Sequence, residues 1–196
     1  MKLIGITGGV GAGKSELLHY IEREFSAKIV LADELAHELM RPGTDCFAEI
    51  ERAFAEEDLY AEDGGFDKMK LAEVIFSDPK KRERLNSIVH PAVKREILRL
   101  VANEREAGRY AYFILEAALL IEDGYDKICD ELWYVDAKEE VRRKRLKENR
   151  GYSDEKIDGI LRSQLLASEY KKSCSRVIEN NGALTEAFGQ IREAMR

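Results

Sequence analysis

The chain has 196 residues, a net charge of −6 and 44% hydrophobic residues, which suits one domain with a substantial core. Its acidic balance argues against nucleic acid or an anionic membrane as the main partner, and no apolar run approaches the length of a membrane span. The 3 cysteines lie far apart without metal-ligand spacing, which disfavours a disulfide framework or a zinc site. We therefore expect a cytoplasmic protein with reduced thiols.

Five short apolar runs have the length and composition of buried strands. They lie at Leu3–Thr7, Lys28–Leu31, Tyr110–Leu115, Glu131–Val135 and Arg176–Ile178. The main segments with helical spacing between and after them are Lys14–Phe25, Pro79–Glu106, Lys138–Lys147, Asp154–Ser168 and Leu184–Ala194. This alternation predicts an α/β fold with a parallel sheet covered on both faces.

The second and third predicted strands are separated by nearly eighty residues of helical, charged sequence. Such a stretch is too long for a simple crossover between parallel strands. We interpret it as an inserted helical subdomain, roughly Ala36 to Arg105, and expect one unit with two appendages.

The first strand leads into GGVGAGKS, residues Gly8 to Ser15, which fits G-x-x-x-x-G-K-[ST] at every fixed position. Glycines let successive backbone N–H groups point into one concavity, and the helix that follows adds its positive end. Lys14 would reach the outer phosphates of a nucleoside triphosphate, and the Ser15 hydroxyl would help to hold magnesium.

The remainder of the chain narrows the class of nucleotide-binding protein. It has no Asn-Lys-x-Asp sequence for guanine recognition and no apolar run that ends in Asp-Glu for water activation. These absences disfavour GTPases and motor-type ATPases. A kinase remains, and it requires an acceptor, a base and groups that stabilise charge.

Two carboxylates follow predicted strands, where ligands of open parallel sheets bind. Asp33 could take the proton of an acceptor hydroxyl or orient that hydroxyl, but it could equally be the N-cap of a helix over Glu34–Met40. Glu116 could bind magnesium through water, or it could be a polar strand end without a role.

A basic stretch, KEEVRRKRLKENR, runs from Lys138 to Arg150. Most of its cations fit a solvated helix face paired with neighbouring glutamates. Nucleic-acid binding finds little support in an acidic chain. Alternatively, the stretch is a lid that brings one or two arginines to the transferring phosphoryl group.

Several later segments, taken with the phosphate loop, resemble the dephospho-coenzyme A kinase family over nearly the whole chain. The segments are GITGGVGAGKS at the start, LADELAHELMRPGT, DGGFDKMKLAEVIF around Phe66, LNSIVHPAV, EAALLIEDGYD and VIENNG near the end. Each later segment is weak alone, whereas their order and spacing behind the loop are specific.

The resemblance implies the P-loop NTPase fold: a parallel five-stranded sheet flanked by helices, with a helical substrate-binding insertion and a lid. The core would comprise residues 1–35, 106–137 and 169–196, the substrate subdomain about 36–105 and the lid about 138–168. It also implies phosphorylation of the ribose 3′-hydroxyl of dephospho-coenzyme A by ATP with Mg²⁺, the last step of coenzyme A synthesis. We expect a monomer, with an oligomer as the alternative.

The resemblance also assigns individual residues. The implied catalytic residues are Asp33 as the base, Lys14 and Arg145. The implied ATP-binding residues are Gly8, Gly9, Gly11, Ala12, Gly13, Lys14, Ser15, Glu16, Arg145, Asn180, Asn181 and Gly182. The implied substrate-binding residues are Asp33, Lys68, His90, Pro91, Leu119 and Leu120, with a buried capping role as the alternative for His90. The implied metal ligands are Ser15 and Glu116.

Four positions depart from the family pattern. Glu16 replaces the usual threonine, Lys68 replaces arginine without its bidentate fork, and Ala118 replaces a proline. Asn149 stands where a second lid arginine is common. Arg150, beside Gly151 where the backbone is freer, is the candidate replacement, whereas Arg142 and Arg143 are expected to be solvated.

Two rival functions stay open at this point. A nucleoside or nucleoside-monophosphate kinase would share the loop, the lid and the sheet. A nucleotide-binding regulator without turnover would need neither a base at Asp33 nor a lid cation at Arg145, so the presence of both favours an enzyme.

Overall fold

Five strands, nine α-helices and one short 3₁₀ helix (Tyr125–Lys127) make up the computed structural model, which describes residues 1–196. The strands are β1 (Lys2–Thr7), β2 (Ala27–Leu31), β3 (Tyr112–Glu116), β4 (Glu131–Asp136) and β5 (Arg176–Glu179). The helices are α1 (Lys14–Glu24), α2 (Ala32–Leu39), α3 (Asp45–Ala53), α4 (Lys68–Ser77), α5 (Pro79–Ala107), α6 (Glu139–Arg150), α7 (Asp154–Arg162), α8 (Ala167–Ser173) and α9 (Leu184–Ala194).

The strands form one parallel sheet in the order β2-β3-β1-β4-β5, with helices flanking it, so the predicted fold class is confirmed. β1 lies at the centre, where Ile4 pairs with Ile114 of β3 and Ile6 pairs with Trp133 of β4. These central strands are almost continuously apolar because both faces of the sheet are buried.

The chain divides into two compact units. The first comprises Met1–Val30 and Ala107–Arg196, and the second comprises Leu31–Glu106. In the first unit, α1 and α9 pack together, and the rings of Tyr20 and Phe188 stack with their centroids 4.1 Å apart.

The second unit contains α2 to α5. Thr44 caps α3 by accepting a hydrogen bond from the Phe47 backbone N–H, and Asp67 caps α4 in the same way. The Phe66 ring stacks on Phe47 with centroids 4.4 Å apart, so Phe66 serves the packing of this unit. No helix of either unit combines the length and apolar character that a membrane span requires.

One predicted helix is wrong. The segment Asp154–Ser168 forms α7 and the start of α8, with a break between Ser163 and Leu166. The side chain of Glu169 accepts a hydrogen bond from the Leu166 backbone N–H at 3.1 Å and so begins a new helix there. Hydrophobic periodicity does not reveal such a capping interaction.

Candidate active site

The phosphate loop connects β1 directly to α1. Gly11 and Gly13 have φ angles of 83° and 87°, which residues with a Cβ rarely adopt. Gly13 is the N-cap of α1, and no side chain caps this helix. The first N–H groups of α1 are therefore available to an anion, as the sequence motif predicts.

Lys14 has a largely buried side chain that is held in place inside the first unit. Its Nζ donates a hydrogen bond to the Gly8 carbonyl oxygen at 2.7 Å and lies 3.4 Å from a carboxylate oxygen of Glu116. Glu116 is the last residue of β3, which neighbours β1 in the sheet. The structure thus brings the loop lysine and the strand-end carboxylate together.

The two predicted metal ligands both offer oxygen atoms, which suit Mg²⁺. Ser15 lies exposed in the first turn of α1, and the Glu116 side chain is largely buried. No group of three or more His, Cys, Asp or Glu residues is arranged to hold a metal. This donor set fits a magnesium ion that takes most of its ligands from phosphates and water.

The last turn of the loop is held by Arg145 of α6 and Asn180, which follows β5. Arg145 donates hydrogen bonds to the carbonyl oxygens of Ala12 at 3.1 Å and Asn180 at 2.9 Å. The Asn180 side-chain amide donates to the same Ala12 oxygen at 2.7 Å. Burial lowers the pKa of Arg145, although the guanidinium stays charged at any physiological pH.

The segment Asn180 to Gly182, predicted to lie beside the adenine, makes contacts with α6 and α9. Asn180 is buried, and its Oδ1 atom has no hydrogen-bond partner in the protein, as is also true of Thr7 Oγ1 at the end of β1. Asn181 Oδ1 accepts a hydrogen bond from the Lys138 backbone N–H at 2.7 Å. A Cβ at Gly182 would lie only 2.7 Å from a carboxylate oxygen of Glu186.

The expectation that Arg142 is a solvated charge is wrong. Its guanidinium is half-buried, and Nε donates a hydrogen bond to the Val10 carbonyl oxygen of the loop at 2.9 Å. Arg143 instead donates to Glu139 at 2.8 Å and to Asp158 of α7 at 2.5 Å, away from the loop.

Arg150 does not lie in freer backbone beside the glycine. α6 continues to Arg150, three residues beyond the predicted end, and Gly151 forms its C-cap with a φ of 61°. The Arg150 side chain is exposed and hydrogen-bonded to Tyr152, which lowers the pKa of that phenol. Arg150 therefore makes no contact of the kind that Arg142 and Arg145 make with the loop.

Asp33 does not cap a helix. α2 begins at Ala32 with Leu31 as its N-cap, so Asp33 lies inside the first turn and its side chain is exposed. The N-cap explanation for this aspartate is therefore wrong. A carboxylate in a first turn still interacts favourably with the helix dipole.

The other predicted substrate-binding residues of the second unit lie on two helices. Lys68 is the first residue of α4 and is exposed. His90 and Pro91 lie in the interior of α5, so His90 does not cap a helix end. Pro91 leaves one carbonyl oxygen of the preceding turn without its helical hydrogen bond.

Leu119 and Leu120 follow β3 in the first unit. Leu119 is 43% exposed, whereas Leu120 is fully buried and would meet a Cβ placed on Gly5 of β1 at 2.8 Å. Leu120 thus belongs to the core, and of the pair only Leu119 has surface that a substrate could contact.

The sequence analysis missed Arg142 as a neighbour of the loop. One signal could have revealed it, because residues three apart share a helix face and Arg142 precedes Arg145 by three. Leu146 on the same face is buried, so that face of α6 turns towards the protein. Gln164, whose Oε1 accepts a hydrogen bond from Arg142, carried no such signal.

A phosphate loop between β1 and α1, with a neighbouring strand-end carboxylate on a five-stranded parallel sheet, defines the P-loop fold of nucleotide-binding proteins. The fold is also that of a shikimate kinase from Acinetobacter baumannii, with a TM-score of 0.53 at 16% identity over 100% of this chain and 91% of that one. A model of one particular family, described as dephospho-CoA kinase, matches residues 2–186. The chain belongs to the dephospho-CoA kinase family, whose members phosphorylate dephospho-CoA with ATP in the last step of coenzyme A synthesis.

Relatives of high coverage agree with this assignment. A dephospho-CoA kinase from Symbiobacterium thermophilum is 36% identical over 100% of this chain and 81% of its own length. A crystal structure of a Thermus thermophilus protein has a TM-score of 0.81 at 30% identity, covering 98% of this chain and 95% of that one.

Proposed function

We propose that this chain transfers the γ-phosphoryl group of ATP to the ribose 3′-hydroxyl of dephospho-CoA through the residues described above. The observation that carries the proposal is the arrangement of Lys14. Its ammonium lies between the loop carbonyl of Gly8 and the Glu116 carboxylate, at a helix N-terminus that no side chain caps. When a triphosphate binds there, Lys14 would donate its hydrogen bond to a phosphate oxygen instead of the Gly8 carbonyl oxygen.

In the proposed reaction the acceptor 3′-oxygen forms a bond to the γ-phosphorus while the bond to the β–γ bridging oxygen breaks. The loop N–H groups and Lys14 stabilise the charge on the phosphate oxygens. Asp33 accepts the proton of the 3′-hydroxyl. Its carboxylate lies two residues after β2, is exposed and can act as this base. ADP and coenzyme A are the products.

Magnesium completes the proposed site. Ser15 would contribute its hydroxyl, and Glu116 would bind the ion through water. When bound, Mg²⁺ neutralises charge on the phosphate oxygens. The Glu116 carboxylate lies beside Lys14 at the end of β3, so an ion bound to it through water would lie next to the lysine.

We propose that the second unit, Leu31–Glu106, holds the acceptor. Its exposed Lys68 can pair with a diphosphate as a single point charge, without the fork of an arginine. We further propose a cytoplasmic location, which the free cysteines favour, and a monomeric state. Burial raises the pKa of Cys129 to about 12, so this thiol stays protonated at neutral pH.

The lid prediction concerns Arg145 and Arg150. We expect Arg145→Ala to lose more than about tenfold in kcat, because the substitution removes a guanidinium that borders the last turn of the phosphate loop. Arg150→Ala should lose less, since its side chain lies exposed beside Tyr152. Arg143→Ala is the control, because Arg143 pairs with Glu139 and Asp158 instead of the loop.

Steady-state kinetics at saturating ATP and dephospho-CoA measure these effects. A loss confined to the KM for ATP in Arg145→Ala would assign Arg145 to bracing Ala12 and Asn180 and remove its role at the transferring group. An equal loss of kcat in all three variants would mean that the basic helix contributes only its overall positive charge, without a specific role for Arg145.

The magnesium prediction concerns Glu116→Gln. We expect the Mg²⁺ concentration for half-maximal rate, at constant free ATP, to rise by about tenfold, because an amide attracts hydrated Mg²⁺ less than a carboxylate. Glu131→Gln is the control, since Glu131 is the first residue of β4 and pairs with Lys2, the first residue of β1, at the sheet edge opposite to the carboxyl ends of the strands. An unchanged Mg²⁺ requirement would remove Glu116 from the metal site.

The reaction itself is tested by incubating the protein with Mg²⁺, ATP and dephospho-CoA. We expect one ADP released for each coenzyme A formed, with the new phosphate on the 3′-oxygen by ³¹P NMR. ADP release without coenzyme A would identify hydrolysis and refute the proposal.

A further inference from the structure

Arg142 makes contacts with the phosphate loop that the proposed reaction does not use. Its Nε donates a hydrogen bond to the Val10 carbonyl oxygen at 2.9 Å, and Nη2 donates to Gln164 Oε1. A Cβ placed on Gly9 would lie 2.4 Å from the Arg142 Cζ atom, so the guanidinium lies directly against the backbone of Gly9. A side chain at position 9 would displace it.

The surroundings of Arg142 fix the guanidinium in this place. Gln164 orients one end of the group, while the stacked rings of Tyr134 and Tyr170, with centroids 4.8 Å apart, lie in the same region. The Arg142 backbone carbonyl would also lie 3.0 Å from a Cβ on Gly11. Arg142 therefore borders the loop at Gly9, Val10 and Gly11.

The donor chemistry shows what this contact can do. A bond from a charged guanidinium to a carbonyl oxygen is stronger than a neutral one, and it fixes the peptide plane to which the carbonyl belongs. The peptide plane of the Val10 carbonyl also carries the Gly11 N–H, which points to the opposite side. Holding the Val10 oxygen at the Arg142 guanidinium therefore also fixes the direction of the Gly11 N–H, which points away from Arg142.

The structure assigns to Arg142 the role of a positioning residue that holds the Val10–Gly11 peptide plane of the loop in its phosphate-binding orientation. It acts through the loop backbone and touches neither ATP nor the acceptor. The assignment rests on the proposed binding of ATP at this loop. It goes further by naming the side chain of α6 that prepares the loop before the nucleotide arrives.

The test is calorimetric titration of the wild type, Arg142→Ala and Arg142→Lys with MgADP and, separately, with dephospho-CoA. We expect Arg142→Ala to weaken MgADP binding by about tenfold or more, the cost of a lost charged hydrogen bond. Affinity for dephospho-CoA should change less than about twofold, because that ligand does not depend on the loop. The MgADP affinity of Arg142→Lys should lie between those of the wild type and Arg142→Ala, because one ammonium cannot donate to both Val10 and Gln164 as the guanidinium does.

Arg143→Ala is the matched control. Arg143 is also on α6 and bonds to Asp158 of α7, but it does not touch the loop. Unchanged MgADP affinity in Arg142→Ala, or an equal loss in Arg143→Ala, would overturn the assignment, as would equal losses for both ligands. A wild type that binds MgADP but forms no coenzyme A would refute the proposed reaction while leaving this test in force.

Discussion

Lys14→Ala is expected to lose at least about 10²-fold in kcat while the protein stays folded, because the cation that faces the outer phosphates is removed. In the structure the Lys14 ammonium is already held at the loop by the Gly8 carbonyl and Glu116. The substitution therefore removes a preorganised charge from the proposed site. Turnover with saturating Mg²⁺, ATP and dephospho-CoA measures the loss, and circular dichroism confirms the fold.

Lys147→Ala provides the control for this experiment. Lys147 lies on α6, is exposed and pairs with Asp154 at 2.7 Å. An exposed ion pair of this kind contributes little to stability, so we expect wild-type kcat. If Lys14→Ala kept a kcat near that of Lys147→Ala, the assignment of the phosphate loop would be wrong.

Asp33→Asn is expected to lose about 10²-fold or more in kcat with little change in ATP affinity. The amide keeps the size of the carboxylate but cannot accept the proton of the acceptor hydroxyl. The structure removes one competing explanation, since Asp33 lies inside the first turn of α2 and caps nothing. A loss of rate would therefore report on chemistry.

Glu34→Gln is the matched control, since Glu34 is the next residue in the same helical turn and is also exposed. Both substitutions remove one negative charge from the first turn of α2, so their effects on stability should be similar and small. Thermal unfolding of both variants tests this comparison. A variant Asp33→Asn with normal kcat would place the base elsewhere.

The sheet could be predicted from the sequence because its signal is local. Buried parallel strands are continuous apolar runs, and the five predicted runs all lie within one or two residues of the strands observed. The phosphate loop could be predicted equally well, since its glycines and lysine lie within eight residues and their roles follow from backbone geometry.

The failures involve individual side-chain contacts, one between residues 3 apart and one between residues 22 apart in the chain. The break between α7 and α8 depends on capping by Glu169, and Arg142 depends on a partner at Gln164. Neither interaction leaves a periodic pattern. Charge composition was also misleading, because a basic helix reads as solvated unless its buried face is identified first.

Asp33 shows a third kind of limit. Aspartate is favoured both as an N-cap and as a general base, so residue type alone could not separate the two roles. The choice depended on whether the helix began before or after residue 33, and boundaries are the least certain part of a sequence-based prediction.

The most direct test of the central claim compares dephospho-CoA with adenosine as phosphoryl acceptors in a coupled ADP-release assay. Both carry a ribose 3′-hydroxyl, but only dephospho-CoA has the diphosphate and pantetheine arms that we assign to the second unit. Binding energy from such remote parts positions the reacting hydroxyl, so we expect kcat/KM for dephospho-CoA to exceed that for adenosine by at least about 10³-fold. Equal efficiency with the two acceptors would contradict the account and identify a nucleoside kinase.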